Sequence, residues 1–183
     1  MNREQAWQHV KQNVKNKNLQ KHMLATEAVM RRLARYFGED EEKWGLAGLL
    51  HDIDYQKTAD DPARHSLVGA DMLKDMGLAE EIVEAVKTHN DYHKIPRETN
   101  MAKALYAVDP LTGLIVAGAL IKPEKKLSAI DAEFLLNRFE EKSFARGANR
   151  EQIRTCSELG LELEEFLELG LEAMQEIAED IGL

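Results

Sequence analysis

Five polar residues interrupt otherwise apolar stretches of the chain. His22 lies in a stripe with Leu19, Thr26, Val29 and Leu33, and His51 and Asp52 end the run Leu46-Ala47-Gly48-Leu49-Leu50. His89 continues the face of Ile82, Val83 and Val86, and Asp109 sits in Leu105-Tyr106-Ala107-Val108-Asp109-Pro110-Leu111. A lone carboxylate in so apolar a setting is costly to bury and needs a partner. Imidazoles and carboxylates converging from several helices are the donor set of a divalent transition metal. Neighbouring His51 and Asp52 point roughly 100° apart around a helix, so they share one ion only near a helix end, or with Asp52 bridging two. Taken singly, each has another reading. A single inward histidine such as His22 is more often a hydrogen-bonded core residue than a ligand, and Asp109 before Pro110 reads equally as a helix cap with proline in the first helical position.

The elements that carry these residues read as helical almost throughout, with no alternating strand. A first helix through Leu19, His22 and Leu33 stops at Gly38, and a second runs from about Asp40 to His51. Asp61-Pro62 reads as the cap and first turn of a third, with Leu67, Ala70 and Leu73 on one side and Gly77 at its close. Ile82 to His89 gives a fourth, residues 90–100 a loop, and Met101 to Val108 a fifth, followed by a buried stretch from Leu111 to Ile121. Ser128 and Asp131 suggest a capping box opening two or three further helices. The expected fold is all-α: one irregular helical bundle over residues 1–183, without repeats or a linker.

At 183 residues the chain suits one domain of about 100–200 residues, and 44% hydrophobic with 31% charged residues is ordinary for a soluble globule. No unbroken apolar run approaches the roughly 18 residues a bilayer span requires; the longest is Leu114 to Ile121. The polar N-terminus lacks a signal-peptide apolar region, and the single cysteine, Cys156, excludes an intramolecular disulfide or a multi-cysteine metal site. A cytoplasmic location and no membrane partner are the expectation. The net charge of −9 is unevenly placed: residues 155–183 hold nine acids and no Lys or Arg, while the remaining 24 acids balance the 24 basic residues. That argues against general nucleic-acid binding and reads as a solvated acidic helix face.

Together the polar residues form an ordered series that resembles the HD superfamily of metal-dependent phosphohydrolases. The family pattern is a His on one helix, a His-Asp pair about thirty residues later, and a distant Asp. Here these match His22 in Lys21-His22-Met23-Leu24, His51-Asp52 in Leu49-Leu50-His51-Asp52-Ile53-Asp54, and Asp109 in Tyr106-Ala107-Val108-Asp109. The variant that continues Gly-Lys after His-Asp-Ile adds two more histidines, matched by His65-Ser66-Leu67-Val68-Gly69-Ala70 and Lys87-Thr88-His89-Asn90. The resemblance covers about residues 18–115 and leaves 116–183 as a C-terminal helical extension. It implies an HD-type fold with one metal on His22, His51, Asp52 and Asp109. Asp52 would bridge to a second on His65 and His89, with iron, manganese, cobalt, nickel or zinc as candidate ions. A metal-activated water would then attack phosphorus in a small phosphorylated metabolite or nucleotide.

This chain departs from the family at two positions: Asp54 replaces Gly and Tyr55 replaces Lys. Asp52 and Asp54 are taken as the catalytic carboxylates. Asp54 is either an orienter of a metal-bound water or of an imidazole, or a loop carboxylate capping a turn. Lys142 and Arg146, four apart and on one face if helical, are the candidate substrate-binding cations. His9 and His93 read as surface residues. Two other functions fit the fold: a diiron oxygenase, weakened by Tyr55, and a non-catalytic regulatory module.

Overall fold

The computed structural model describes residues 1–183 and contains helices and turns but no strand. Helix α1 (Arg3–Asn13), absent from the sequence reading, is polar on most of its surface. It starts from a reciprocal cap between Asn2 and Gln5 and buries only Ala6 and Val10. Helix α2 (Lys17–Phe37) is capped by Asn16, buries Met23, Val29, Met30 and Leu33, and ends at Gly38 in the left-handed region, φ 71°. Helix α3 (Glu41–Leu50) starts at the Asp40 cap and is buried on every side from Trp44 to Leu50. A Cβ on Gly48 would stand 2.8 Å from the Thr26 carbonyl oxygen and 2.9 Å from the Glu27 Cα. The missing side chain thus lets the α3 backbone lie directly against α2.

After a short turn and α4 (Tyr55–Thr58), the chain reaches α5 (Leu67–Asp75) and α6 (Glu80–Thr88). Asp61-Pro62 does not open α5. Its carbonyl accepts from the amides of Arg64 and His65 in a separate turn, and Ser66, at φ 70°, redirects the backbone before the helix starts. Helix α7 (Asn100–Leu120) is one continuous helix where the sequence suggested two segments, so Asp109 lies inside a helix and does not cap one. Pro110 removes one helical hydrogen bond. The Tyr106 carbonyl this frees is taken up by the Gln152 side-chain amide at 2.7 Å. At 21 residues α7 has the length and composition of a bilayer span, but 61% of its apolar 18-residue stretch is buried inside the fold, as in a core helix.

Beyond α7 follow α8 (Ala132–Phe139), α9 (Arg150–Arg154), α10 (Leu163–Glu176) and α11 (Ala178–Ile181). Asp131 alone caps α8, accepting from the Phe134 amide, while Ser128 lies in a separate 3-10 turn. One continuous core reaches from Ala6 to Ile181. The acidic tail is not simply solvated. Glu172 and Glu176 pair with Arg32 and Arg35, and Glu165 accepts from the Tyr36 hydroxyl, which docks α10 on α2.

Candidate metal centre

Five segments deliver six side chains to one point. His22 comes from the second turn of α2, His51 from the C-cap of α3 with Asp52 just beyond it, and His65 from the turn before α5. His89 is the C-cap of α6, and Asp109 lies on α7. Because α3 ends at His51, the backbone turns there and both His51 and Asp52 face the same centre. The close α2–α3 approach at Gly48 sets the His22 and His51 Nε2 atoms 3.1 Å apart.

Every imidazole is held from behind through Nδ1. His51 donates to the Gly48 carbonyl at 2.8 Å and His89 to the Val86 carbonyl at 2.6 Å. His65 donates to Asp54 Oδ1 at 3.2 Å. The Thr112 hydroxyl donates to the Asp109 carbonyl, so at 3.0 Å it accepts from His22 Nδ1. A carbonyl only accepts and Thr112 has spent its proton, so the tautomers follow: Nε2 carries the lone pair in each ring. Four lone pairs therefore converge on two carboxylates. Asp109 Oδ1 lies 3.0 Å from His22 Nε2 and 3.7 Å from His51 Nε2. Asp52 divides its oxygens: Oδ2 lies 3.5 Å from His51 and 3.7 Å from His22, and Oδ1 lies 3.5 Å from both His65 and His89.

So many acceptors at such short range repel one another unless a cation or proton lies between them. His89 Nε2 makes this plain, since it is buried and has no hydrogen-bond partner at all. The electrostatics of the cluster agree. Burial pulls His51 down, but Asp52 and Asp109 outweigh it and raise it to about 9, so a proton fills the gap. Burial pushes Asp52 up, yet the surrounding His51, His89 and His22 hold it down at about 2; Asp109 is likewise held well below the usual carboxylate range by His22 and His51. The donors group as His22, His51 and Asp109, and as His51, Asp52 and His89, each set close enough for one ion. This donor set, with its outer hydrogen bonds, fits a divalent transition metal.

Asp54 is fully buried and does not face the centre. Its carboxylate accepts from the Ser66 and Gly69 amides at 2.9 and 3.1 Å and from His65. It positions His65 and anchors the start of α5, which is the imidazole-orienting role among those expected of it and not contact with the centre itself. The shared helix face expected of Lys142 and Arg146 is corrected. They are exposed in a run of turns with Ala145 at φ 44°, share no helix face, and touch no residue of the centre. That run is shaped by Arg150, whose guanidinium gathers the carbonyls of Phe139, Phe144, Ala145 and Ala148. His93, read as a surface residue, is half-buried and donates to the His65 carbonyl at 2.9 Å, as does Asn90 at 3.0 Å. His9 is half-buried on α1. Thr112, Asn90 and His93 were missed as supports of the ligands. Only Thr112, one helical turn after Asp109, carried a signal in its spacing.

A family model for the HD domain matches residues 19–143, which reaches past the motif series into the C-terminal extension. Among curated proteins, Ribonuclease Y of Oleidesulfovibrio alaskensis is 30% identical over 98 residues, covering 54% of this chain and 18% of that protein. Ribonuclease Y of Nitratidesulfovibrio vulgaris is 32% identical over 98 residues, with the same coverage. Ribonuclease Y of Lawsonia intracellularis is 30% identical over 137 residues, covering 73% of this chain and 26% of that protein. The chain spans about a quarter or less of the length of these relatives. No solved structure matches it. With the matched region covering more than half of the residues and carrying the whole His and Asp cluster, this chain belongs to the HD domain family.

Proposed function

We propose that the chain is a metal-dependent phosphohydrolase with two neighbouring ions, one on His22, His51, Asp52 and Asp109 and one on Asp52, His65 and His89. The observation that carries the reading is the buried, unpartnered Nε2 of His89, one of four imidazole lone pairs turned toward Asp52 and Asp109. The division of the Asp52 oxygens between two histidine pairs supports a bridging role. Bound divalent ions supply Lewis acidity toward phosphoryl oxygens and a water that ionises near neutral pH. The protein's own part is positioning. Asp52 joins the two halves of the cluster, Asp54 fixes the direction of His65, and Thr112 that of His22. His22 and Asp109 have side chains 24% and 31% exposed, against 0–12% for the other four, so substrate approaches from their side.

The substrate in this reading is a small phosphorylated metabolite or nucleotide. The Ribonuclease Y relatives favour a second reading, an RNA phosphodiester. The net charge of −9 weighs against a long polyanion. The deciding experiment is anaerobic purification with elemental analysis of the unaltered protein, Asp52→Ala and His89→Ala, followed by phosphate release from mono- and diesters with manganese, cobalt or iron. About two ions per chain, falling to one in His89→Ala, with turnover, is the expected result. One ion unchanged in His89→Ala would return His65 and His89 to structural roles. No metal and no turnover would overturn the reading.

A further inference from the structure

A groove of about 460 Å³ opens beside His22, on the exposed side of the metal centre. It lies between the faces of α2 and α7 that carry the ligands. Lys21 and Ala25 flank His22 on α2, and Val116 and Leu120 continue the row that begins at Asp109 on α7. Ile181 and Leu183 close it from the C-terminal side. These walls are aliphatic, and Leu120 is 48% exposed. No aromatic ring other than the His22 imidazole reaches the groove, so a nucleobase would find no platform to stack on. Lys21 adds a full positive charge. Its ammonium stands about 3.0 Å from where a Cβ on Gly182 would be, and it forms no ion pair or hydrogen bond. A Cβ on Gly113, midway along the α7 wall, would meet nothing within 4 Å, so the groove is open at that position.

From this we infer that the groove binds the carbon chain of an aliphatic phosphate ester, with Lys21 taking an anionic oxygen of the same molecule. The inference rests on the phosphohydrolase reading and names its substrate class. An aliphatic chain gains from leaving water against Ala25, Val116, Leu120 and Leu183, and needs no directional partner. The free ammonium of Lys21 makes the rim selective for an anion. The family core thereby supplies the metal ligands, Lys21 and most of the groove, and the C-terminal segment adds the closing wall of Ile181 and Leu183.

The test compares n-hexylphosphonate with methylphosphonate, neither of which can be hydrolysed at an ester bond. Binding is measured by calorimetry to metal-free and manganese-loaded protein. The unaltered protein is expected to hold the hexyl compound about tenfold more tightly. Gly113→Leu fills the groove with a residue that favours helix more than glycine does, so the fold is kept; it is expected to bring the hexyl-to-methyl ratio close to one. Lys21→Ala is expected to weaken hexylphosphonate about fivefold. Equal binding of the two phosphonates, or a ratio untouched by Gly113→Leu, would overturn the groove assignment. So would tighter binding of adenosine monophosphate than of hexylphosphonate, in favour of a nucleotide. Phosphate release from methyl and hexyl phosphate separates this inference from the reading beneath it. Chain-length-dependent binding without turnover would overturn the hydrolase and keep the groove; turnover with equal KM for both esters would do the reverse.

Discussion

The ring nitrogen that faces away from the metal centre fixes the direction and tautomer of each histidine. Thr112 holds His22 in this way, and its hydroxyl is itself fixed by the Asp109 carbonyl. Thr112→Val keeps the shape and removes the acceptor. It is expected to lower metal affinity about 10- to 100-fold with little change in the melting temperature of the metal-free protein, checked by competition against a chelating dye. The same cluster gives the metal-free protein a distinctive pH response. His51 is raised to about 9 in the folded chain from an ordinary 6.5, so its stabilising contribution is complete below pH 6.5 and disappears as pH climbs through 9. Asp52, lowered to about 2 from 3.8, contributes above pH 3.8 and loses that contribution as pH falls toward 2. Melting curves of metal-free protein are expected to show a fall between pH 6.5 and 9, on the order of a few kcal/mol. Saturating metal, which replaces the proton, is expected to remove that fall.

Between elements, α3 approaches α2 closely at Gly48, where even a methyl group meets backbone. Gly48→Ala is expected to cost about 1–3 kcal/mol in urea unfolding despite the better helix propensity of alanine, because neither backbone can yield cheaply. It is also expected to weaken metal binding, since the Gly48 carbonyl holds His51. Glycine at this place was visible in the sequence, but its reason was not, because a close approach depends on a partner far along the chain. Other elements divide in the same way. The α2 stripe, the left-handed Gly38 and Gly77, and a helix starting near Asp40 are local features, and periodicity and turn chemistry exposed them. Helix α1 escaped notice because its face holds only two buried residues. The division of α7 at Pro110 and the helix drawn from Asp61-Pro62 failed for one reason. A proline reads locally as a start or a break, and what decides the matter is a distant group, Gln152 in one case and the Asp54 carboxylate gripping Ser66 in the other. At the centre, residue types and order pointed to the six convergent side chains, whereas Lys142 and Arg146 rested on a helix that the Arg150 network replaces with turns.

Across the molecule, the C-terminal extension is bound to the family core at several depths. Its acids pair with α2 at the surface, its apolar face enters the common core, and Gln152 reaches the Tyr106 carbonyl that Pro110 leaves open. Gln152→Leu removes that donor while keeping bulk. It is expected to lower stability by about 1–3 kcal/mol, the cost of an unpaired buried carbonyl, measured by chemical denaturation. Raising salt is expected to matter much less, because the α10 ion pairs are exposed. Pro110 also has a consequence in time. A chain made from its N-terminus releases all six ligands by residue 109, some forty residues before Gln152 and more than seventy before Leu183. The place for the metal can therefore gather while the helix bearing Asp109 still has an open carbonyl and the groove still lacks its far wall. Emergence of the ligands precedes emergence of the residues that close the surface beside them.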